Sequence, residues 1–159
     1  MAETLYIPDT NKQGIYEALA PQIEALLQGE TDLIANLANF TAVLKEAFGF
    51  FWVGFYLVKN KQLVLGPFQG KLACTRIPFD KGVCGACYRE QKTIIVPDVS
   101  QFVGHIACSS LSKSEIVVPV FKNNKVTMVL DIDSDKLNDF DEIDKNGLEK
   151  LVQILEKTL

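Results

Sequence analysis

The chain has no basic block, no long apolar run and little cysteine, and each absence excludes a class of protein. Only two arginines occur, Arg76 and Arg89, and the formal net charge is −4. An acidic chain without clustered cations lacks the electrostatic footprint that holds a phosphate backbone, so no nucleic-acid partner is expected. No apolar stretch approaches the roughly 20 residues a membrane-spanning helix needs. The opening MAETLYIPDT has no positive segment followed by an apolar core, so it does not read as a secretory signal. A cytoplasmic protein without membrane attachment is expected. Four cysteines are too few for a disulfide scaffold at 159 residues, and a reducing compartment disfavours structural disulfides. Redox chemistry, metal binding or packing are the roles left to them. Internal repeats, low-complexity tracts and linkers are also missing.

What is present is ordinary globular material, 48% hydrophobic and 23% charged, over a length sufficient for one core. One unit over residues 1–159 is expected, with a helical part at 1–49, a sheet and its loops at 50–140 and a closing helix at 141–159. NKQGIYEALAPQIEALLQG predicts one kinked helix or two short ones, because Pro21 lacks a backbone donor. Thr31 is the expected cap of a second helix, with Leu33, Leu37, Phe40, Leu44 and Phe48 on its apolar stripe and Gly49 as its stop. From Phe51 the pattern changes to strands. FFWVGFYLV and QLVLGPFQ flank KNK as a hairpin, and SEIVVPVF and KVTMVLDIDS flank Asn123–Asn124 as another. LACTRIPF and KTIIVPDV read as short strands, and GVCGACYREQ as the start of a short helix. The last segment predicts a helix with acids near its N-terminus and Ile143, Leu148, Leu151, Val152 and Leu155 on its buried face. Helices at both ends of a run of hairpin-linked strands imply an α/β sandwich around an antiparallel sheet.

The cysteines are Cys74, Cys84, Cys87 and Cys108. With His105 they offer a C-x-x-C and an H-x-x-C, a zinc ligand set by residue type, although a chain that can bury a core needs no zinc staple. CGAC also has the form of a thioredoxin-like pair, whose first thiol gains acidity from a helix N-terminus. For Cys87 a small buried residue is the preferred reading. Asp131 and Asp133 stand two apart on a strand, so both side chains point to one face. Two like charges there raise the pKa of at least one, and a carboxyl kept protonated can give its proton to a substrate. Spacing alone fits solvated acids at a strand end better. Trp52 and Tyr56 share a face with Gly54 between them, leaving a slot that suits a thioether or methyl group. Taken alone, that stretch fits core packing better.

Together, WVGFYL, LGPFQGKLACTRI, GVCG, GHIACSSLSKSEIVVP and VLDIDS followed by FDEID resemble the free methionine-(R)-sulfoxide reductases. These are stand-alone GAF-domain enzymes that reduce the R-sulfoxide of the free amino acid. The resemblance covers nearly the whole chain from Trp52 onward, in order and with the family's spacing. It implies an α/β GAF-like fold, with a central antiparallel sheet and the N- and C-terminal helices packed on one face. It also implies that Cys108 is the catalytic cysteine and that Cys74 and Cys84 are the family's other two, one of which resolves. By the same resemblance, Glu115, Asp131 and Asp133 hold the sulfoxide oxygen, and Trp52 and Tyr56 wall the methyl group. No metal or bound cofactor is implied. The implied partners are free methionine sulfoxide, thioredoxin as external dithiol and, as is common for GAF folds, a second copy in a homodimer. Val103 and Ser109 depart from the proline and aspartate of the family pattern, and Cys87 is an extra thiol beside Cys84.

The implied chemistry suits these residues. Sulfoxide oxygen leaves only when protonated, so an acid must sit on it while a thiolate attacks sulfur. Methionine departs, Cys108 becomes a sulfenic acid, and a second cysteine condenses with it to a disulfide that an external dithiol reduces. Cys74 is the first choice for that second cysteine, with Cys84 as substitute. An unperturbed thiol is only about 3% thiolate at pH 7, so activation is expected. His105 is read as a hydrogen-bonding residue, not a catalytic one. Two other classes fit parts of the pattern. One is a ligand-sensing GAF module, for which an attached output domain is expected. The other is a zinc domain built on Cys84, Cys87, His105 and Cys108.

The mechanism requires Glu115 to share a face with Asp131 and Asp133. A two-residue turn at Asn123–Asn124 pairs Lys122 with Lys125, and unbroken register then sets Glu115 opposite Ile132, pointing away from both aspartates. A shift of one residue sets it opposite Asp131 or Asp133. Pro119 cannot donate to a ladder, which favours an irregularity in its strand. A longer turn or a bulge between Glu115 and Asp131 is therefore predicted.

Overall fold

The computed structural model describes residues 4–159, so the first three residues of the expected helical part lie outside the described residues. Asn11 caps helix α1 (Lys12–Leu27), its side chain accepting from the Gly14 N–H at 2.9 Å. One helix continues through Pro21. Helix α2 (Leu33–Phe48) is capped by Asp32 and not by Thr31. Asp32 stands directly before the first helical residue and accepts from Ala35 N–H at 2.9 Å, whereas the Thr31 N–H donates to Glu30. Gly49 ends the helix at φ 65, a left-handed conformation that costs glycine little. Leu37, Phe40 and Leu44 are buried, and Leu33 and Phe48 pack at the margin of the same core.

Strands β1 (Trp52–Lys59), β2 (Gln62–Gln69) and β3 (Arg76–Pro78) precede helix α3 (Gly82–Glu90). Strands β4 (Ile94–Val96), β5 (Ser114–Lys122) and β6 (Lys125–Ser134) precede the closing helix α4 (Glu142–Glu156). The six strands form one antiparallel sheet in the order β3-β2-β1-β6-β5-β4. Both expected hairpins turn on two residues with positive φ, Asn60–Lys61 and Asn123–Asn124, the conformation that follows the twist of paired strands.

Alternation along the strands divides the sheet into two unlike faces. Val53, Phe55, Leu57, Ile116, Val118, Val120, Met128, Leu130 and Ile132 join the apolar faces of α1, α2 and α4 in the larger core. The N- and C-terminal helices are thus packed on one face, as expected. Ile143 is a correction: it is 42% exposed, while Asp144 occupies the buried stripe with Leu148, Leu151, Val152 and Leu155. That stripe recurs at helical spacing, and Ile143 falls about 100° off it. On the opposite face, Trp52, Tyr56, Val117 and Val129 pack with Val83, Cys84 and Cys87 of α3. No described helix is long and apolar enough to cross a membrane.

Candidate active site

The predicted irregularity is a bulge. Lys122 pairs Lys125 and Phe121 pairs Val126, but Val120 pairs Met128, leaving Thr127 as the extra residue on β6. Beyond it every pairing shifts by one, so Glu115 lies opposite Asp133 and Val117 opposite Asp131. On its other edge β6 pairs Asp133 with Trp52 and Asp131 with Gly54. Directly paired residues share a face, so Trp52, Asp133 and Glu115 form one row across three strands, and Gly54, Asp131 and Val117 the next. Pro119 is not the site of the irregularity. The Phe121 N–H turns outward to Glu156 at 2.7 Å, and the nitrogen of Pro119, two residues earlier, lies on that same side, past the end of β4. Its missing donor interrupts no ladder.

Trp52 and Tyr56 stand on this face with ring centroids 6.1 Å apart. Gly54 between them must be glycine, since a Cβ there would sit 2.5 Å from the Trp52 ring and 2.4 Å from Phe68. The two aromatics do more than wall a slot. Trp52 Nε1–H donates to the Lys71 carbonyl at 3.0 Å, and the Tyr56 hydroxyl to the Cys74 carbonyl at 2.8 Å. Both polar tips therefore anchor the segment that carries Cys74. Sequence reading missed this, because an indole N–H carries no record of which backbone it will meet.

Cys74 and Cys108 form a disulfide, with Cα atoms 5.2 Å apart across a sequence separation of 34. The Cys108 loop is tied to the start of α3 by the Gly82 N–H, which donates to the Gly104 carbonyl at 2.9 Å. Cys108, Cys84, Trp52, Tyr56, His105 and all three acids line one cavity over the sheet. Cys84 is 3% exposed, and Cys87 is fully buried and outside the lining. The alternative zinc set does not assemble, since the Cys108 sulfur is bonded to Cys74 and Cys87 packs in the core. Ser109, Ser112, Lys71, Leu72 and Ala73 complete the wall around the loop. Sequence reading named none of these as site residues, apart from noting Ser109 as a departure. Ser112 lines the cavity with Asp133, a position its serine-rich surroundings do not single out.

Burial dominates the electrostatics. It pushes Glu115 well above the usual carboxyl range, reinforced by the charges of Asp131 and Asp133. Burial also raises Asp131, helped by the Asp133 charge, with the adjacent Glu115 and Cys84 side chains working in the opposite direction. Asp133 is pushed up to about 6, chiefly by burial, against the opposing effect of the Ser112 side chain. Three carboxyls this close do not all ionise at neutral pH, so the cluster retains a proton. Burial and then the charges of Asp131 and Glu115 raise the Cys84 thiol, which is the reverse of the acidified first thiol of a thioredoxin-like pair. Burial lowers His105, whose Nδ1 lies 4.0 Å from Glu115 Oε2 and has no hydrogen-bond partner. Asp131 Oδ1 is likewise buried without a partner. The site thus offers a retained proton, an unmatched acceptor, an apolar slot and a sulfur–sulfur bond within one cavity.

A GAF domain model matches residues 30–158. The chain is 60% identical over 157 residues to GAF domain-containing protein A of Dictyostelium discoideum, covering 98% of this chain and 99% of that protein. It is 47% identical over 150 residues to the free methionine-R-sulfoxide reductase of Escherichia coli K12, covering 94% and 91%. Among solved structures it is similar to the Neisseria meningitidis free methionine-R-sulfoxide reductase in complex with its substrate. That match has 54% identity and a TM-score of 0.95, covering 98% of this chain and 94% of the other.

Proposed function

Since the chain belongs to the GAF-domain family of free methionine-R-sulfoxide reductases, we propose that it reduces free L-methionine-(R)-S-oxide to L-methionine with Cys108 as nucleophile. The observation that carries this reading is the Cys74–Cys108 disulfide at the wall of a cavity where two buried carboxyls, a half-buried third and two aromatic rings converge.

With the disulfide reduced, the sulfoxide methyl enters the Trp52–Tyr56 slot and its oxygen meets the Glu115–Asp131–Asp133 cluster. The Cys108 thiolate attacks sulfur as the cluster gives its proton to the oxygen. The new sulfur–sulfur bond and the substrate's sulfur–oxygen bond then break as the oxygen passes to the Cys108 sulfur, so methionine leaves and Cys108 becomes a sulfenic acid. Cys74 attacks that sulfur, water departs, and the disulfide forms. Thioredoxin supplies two electrons through dithiol exchange and restores both thiols. No prosthetic group enters this cycle, and one copy of the chain carries every named residue, whether or not it pairs as a homodimer. Fixing methyl, oxygen and the attacked face at three different walls selects one configuration, and the reductases this chain resembles are named for R. A cavity this small also favours the free amino acid over a residue within a polypeptide.

Single turnover without added reductant tests the assignment. Cys108→Ser is expected to release no methionine, and Cys74→Ser up to one equivalent, with the R diastereomer consumed and the S left. Full single-turnover release by Cys108→Ser would refute it. After substrate oxidation, peptide mapping is expected to find Cys74–Cys108 first. An early Cys84–Cys108 link would transfer the resolving role to Cys84.

A further inference from the structure

Cys84 stays a free thiol while Cys74 and Cys108 are joined, and its surroundings are unusual. Its Sγ and one carboxylate oxygen each of Glu115 and Asp131 lie within 4.8 Å of one another, and all three residues are buried. No other set of three or more histidine, cysteine, aspartate or glutamate ligand atoms gathers this closely among the described residues. Asp131 is 6% exposed, and its Oδ1 has no hydrogen-bond partner. His105 Nδ1, 4.0 Å from Glu115 Oε2, is a second buried atom without a partner. A buried polar atom left unpaired is costly and rare, and two of them beside a thiol and two carboxyls point to a missing electrophile.

We propose that Cys84, Glu115 and Asp131 bind a thiophilic divalent cation, zinc or cadmium, with a fourth position open to the cavity. One thiolate and two carboxylate oxygens are donors that zinc accepts, and three protein ligands with one open position is a coordination zinc commonly adopts. With bonds of about 2.0–2.3 Å, ligand atoms around a tetrahedral ion lie roughly 3.5 Å apart. Side-chain rotation through about an ångström closes the present separation to that value. His105 stands next to Glu115, where its ring can orient the bound carboxylate, as outer partners of metal ligands do. The cavity in this disulfide form measures about 40 Å³, room for an ion and a water or two but not for an amino acid. The ion therefore binds the oxidised protein. In the reduced protein it occupies the carboxyls proposed to meet the sulfoxide oxygen, and so blocks turnover. This set shares only Cys84 with the zinc set suggested by residue spacing.

The site is tested without any sulfoxide, so its outcome is independent of the reductase reading. Full-length protein carrying the Cys74–Cys108 disulfide is titrated with Cd²⁺ and followed by the ultraviolet thiolate-to-cadmium charge-transfer band. One equivalent is expected to saturate the band in wild type and in Cys87→Ser, and the band is expected to vanish in Cys84→Ser. Zn²⁺ affinity, read by competition with a chromophoric chelator, is expected to fall at least about tenfold in Asp131→Asn and in Glu115→Gln. These two variants decide the matter if Cys84→Ser does not fold. An absent band in wild type, a band that survives Cys84→Ser, or unchanged affinity in both carboxyl variants overturns the proposal.

Discussion

Asp144 and Asp131 are both buried carboxyls, one on each side of the sheet, and their surroundings differ in kind. Asp144 is 1% exposed, yet the Tyr16 hydroxyl donates to its Oδ1 at 2.9 Å. Its Oδ2 accepts from Lys12 Nζ at 2.6 Å and from the Asp141 N–H at 3.0 Å, closing a capping box. Both of its oxygens are matched within the fold, and they join the start of α1 to the start of α4. Asp131, 6% exposed, faces like charges and keeps Oδ1 unpartnered. A satisfied buried acid holds elements together, whereas an unsatisfied one awaits something that is not part of the chain. The helical face is therefore read as the scaffold and the opposite face as the working surface.

The sharpest break of that comparison is kinetic. Asp131→Asn is expected to lower the single-turnover rate by about 10²–10⁴, the range typical of a lost general acid. Asp144→Asn is expected to leave the rate per folded molecule unchanged. Equal losses in both would erase the distinction. The next effect is on stability. Asp144→Ala strands the Tyr16 hydroxyl and removes the cap, which is expected to cost about 2–4 kcal/mol in urea unfolding of the disulfide form. A loss below about 0.5 kcal/mol would show that the network holds nothing together.

Smaller still is the gain expected on the working face. Asp131→Asn keeps the shape and takes one ionisable group out of the crowded buried cluster, so its melting temperature is expected to rise by about 2–4 °C, equivalent to about 1 kcal/mol. A further effect is the pH dependence of Asp133. Its folded pKa, about 6, lies above the ordinary 3.8, so the folded state binds the proton more tightly than the unfolded state does. The stability this group contributes is complete below pH 4 and is lost as pH rises through 6. Wild type is therefore expected to lose melting temperature relative to Asp133→Asn between pH 4 and pH 7. Parallel melting curves across that window would remove the argument.

Much of the architecture was legible because its signals are local. Period-two alternation placed Asp131 with Asp133, and Trp52 with Tyr56, on shared faces before any partner strand was known. Paired asparagines marked a hairpin, and Gly49 marked a helix end. Register is different in kind, since it accumulates from the turn onward and one inserted residue reverses the face of everything beyond it. Counting from Asn123–Asn124 showed that a shift was needed, but that Thr127 supplies it, and not the neighbourhood of Pro119, depended on how β6 packs. The bond between Cys74 and Cys108 depended on two loops brought together across 34 residues, where no local pattern chooses among four thiols. The burial of Cys84 beside Glu115 and Asp131 likewise came from α3 settling on the sheet. The chain by itself determined which side chains share a strand face, because backbone geometry sets that over a few residues. Which faces meet, which thiols bond and which acids are left unsatisfied were decided only by tertiary packing, where contacts distant in sequence compete for the same buried volume.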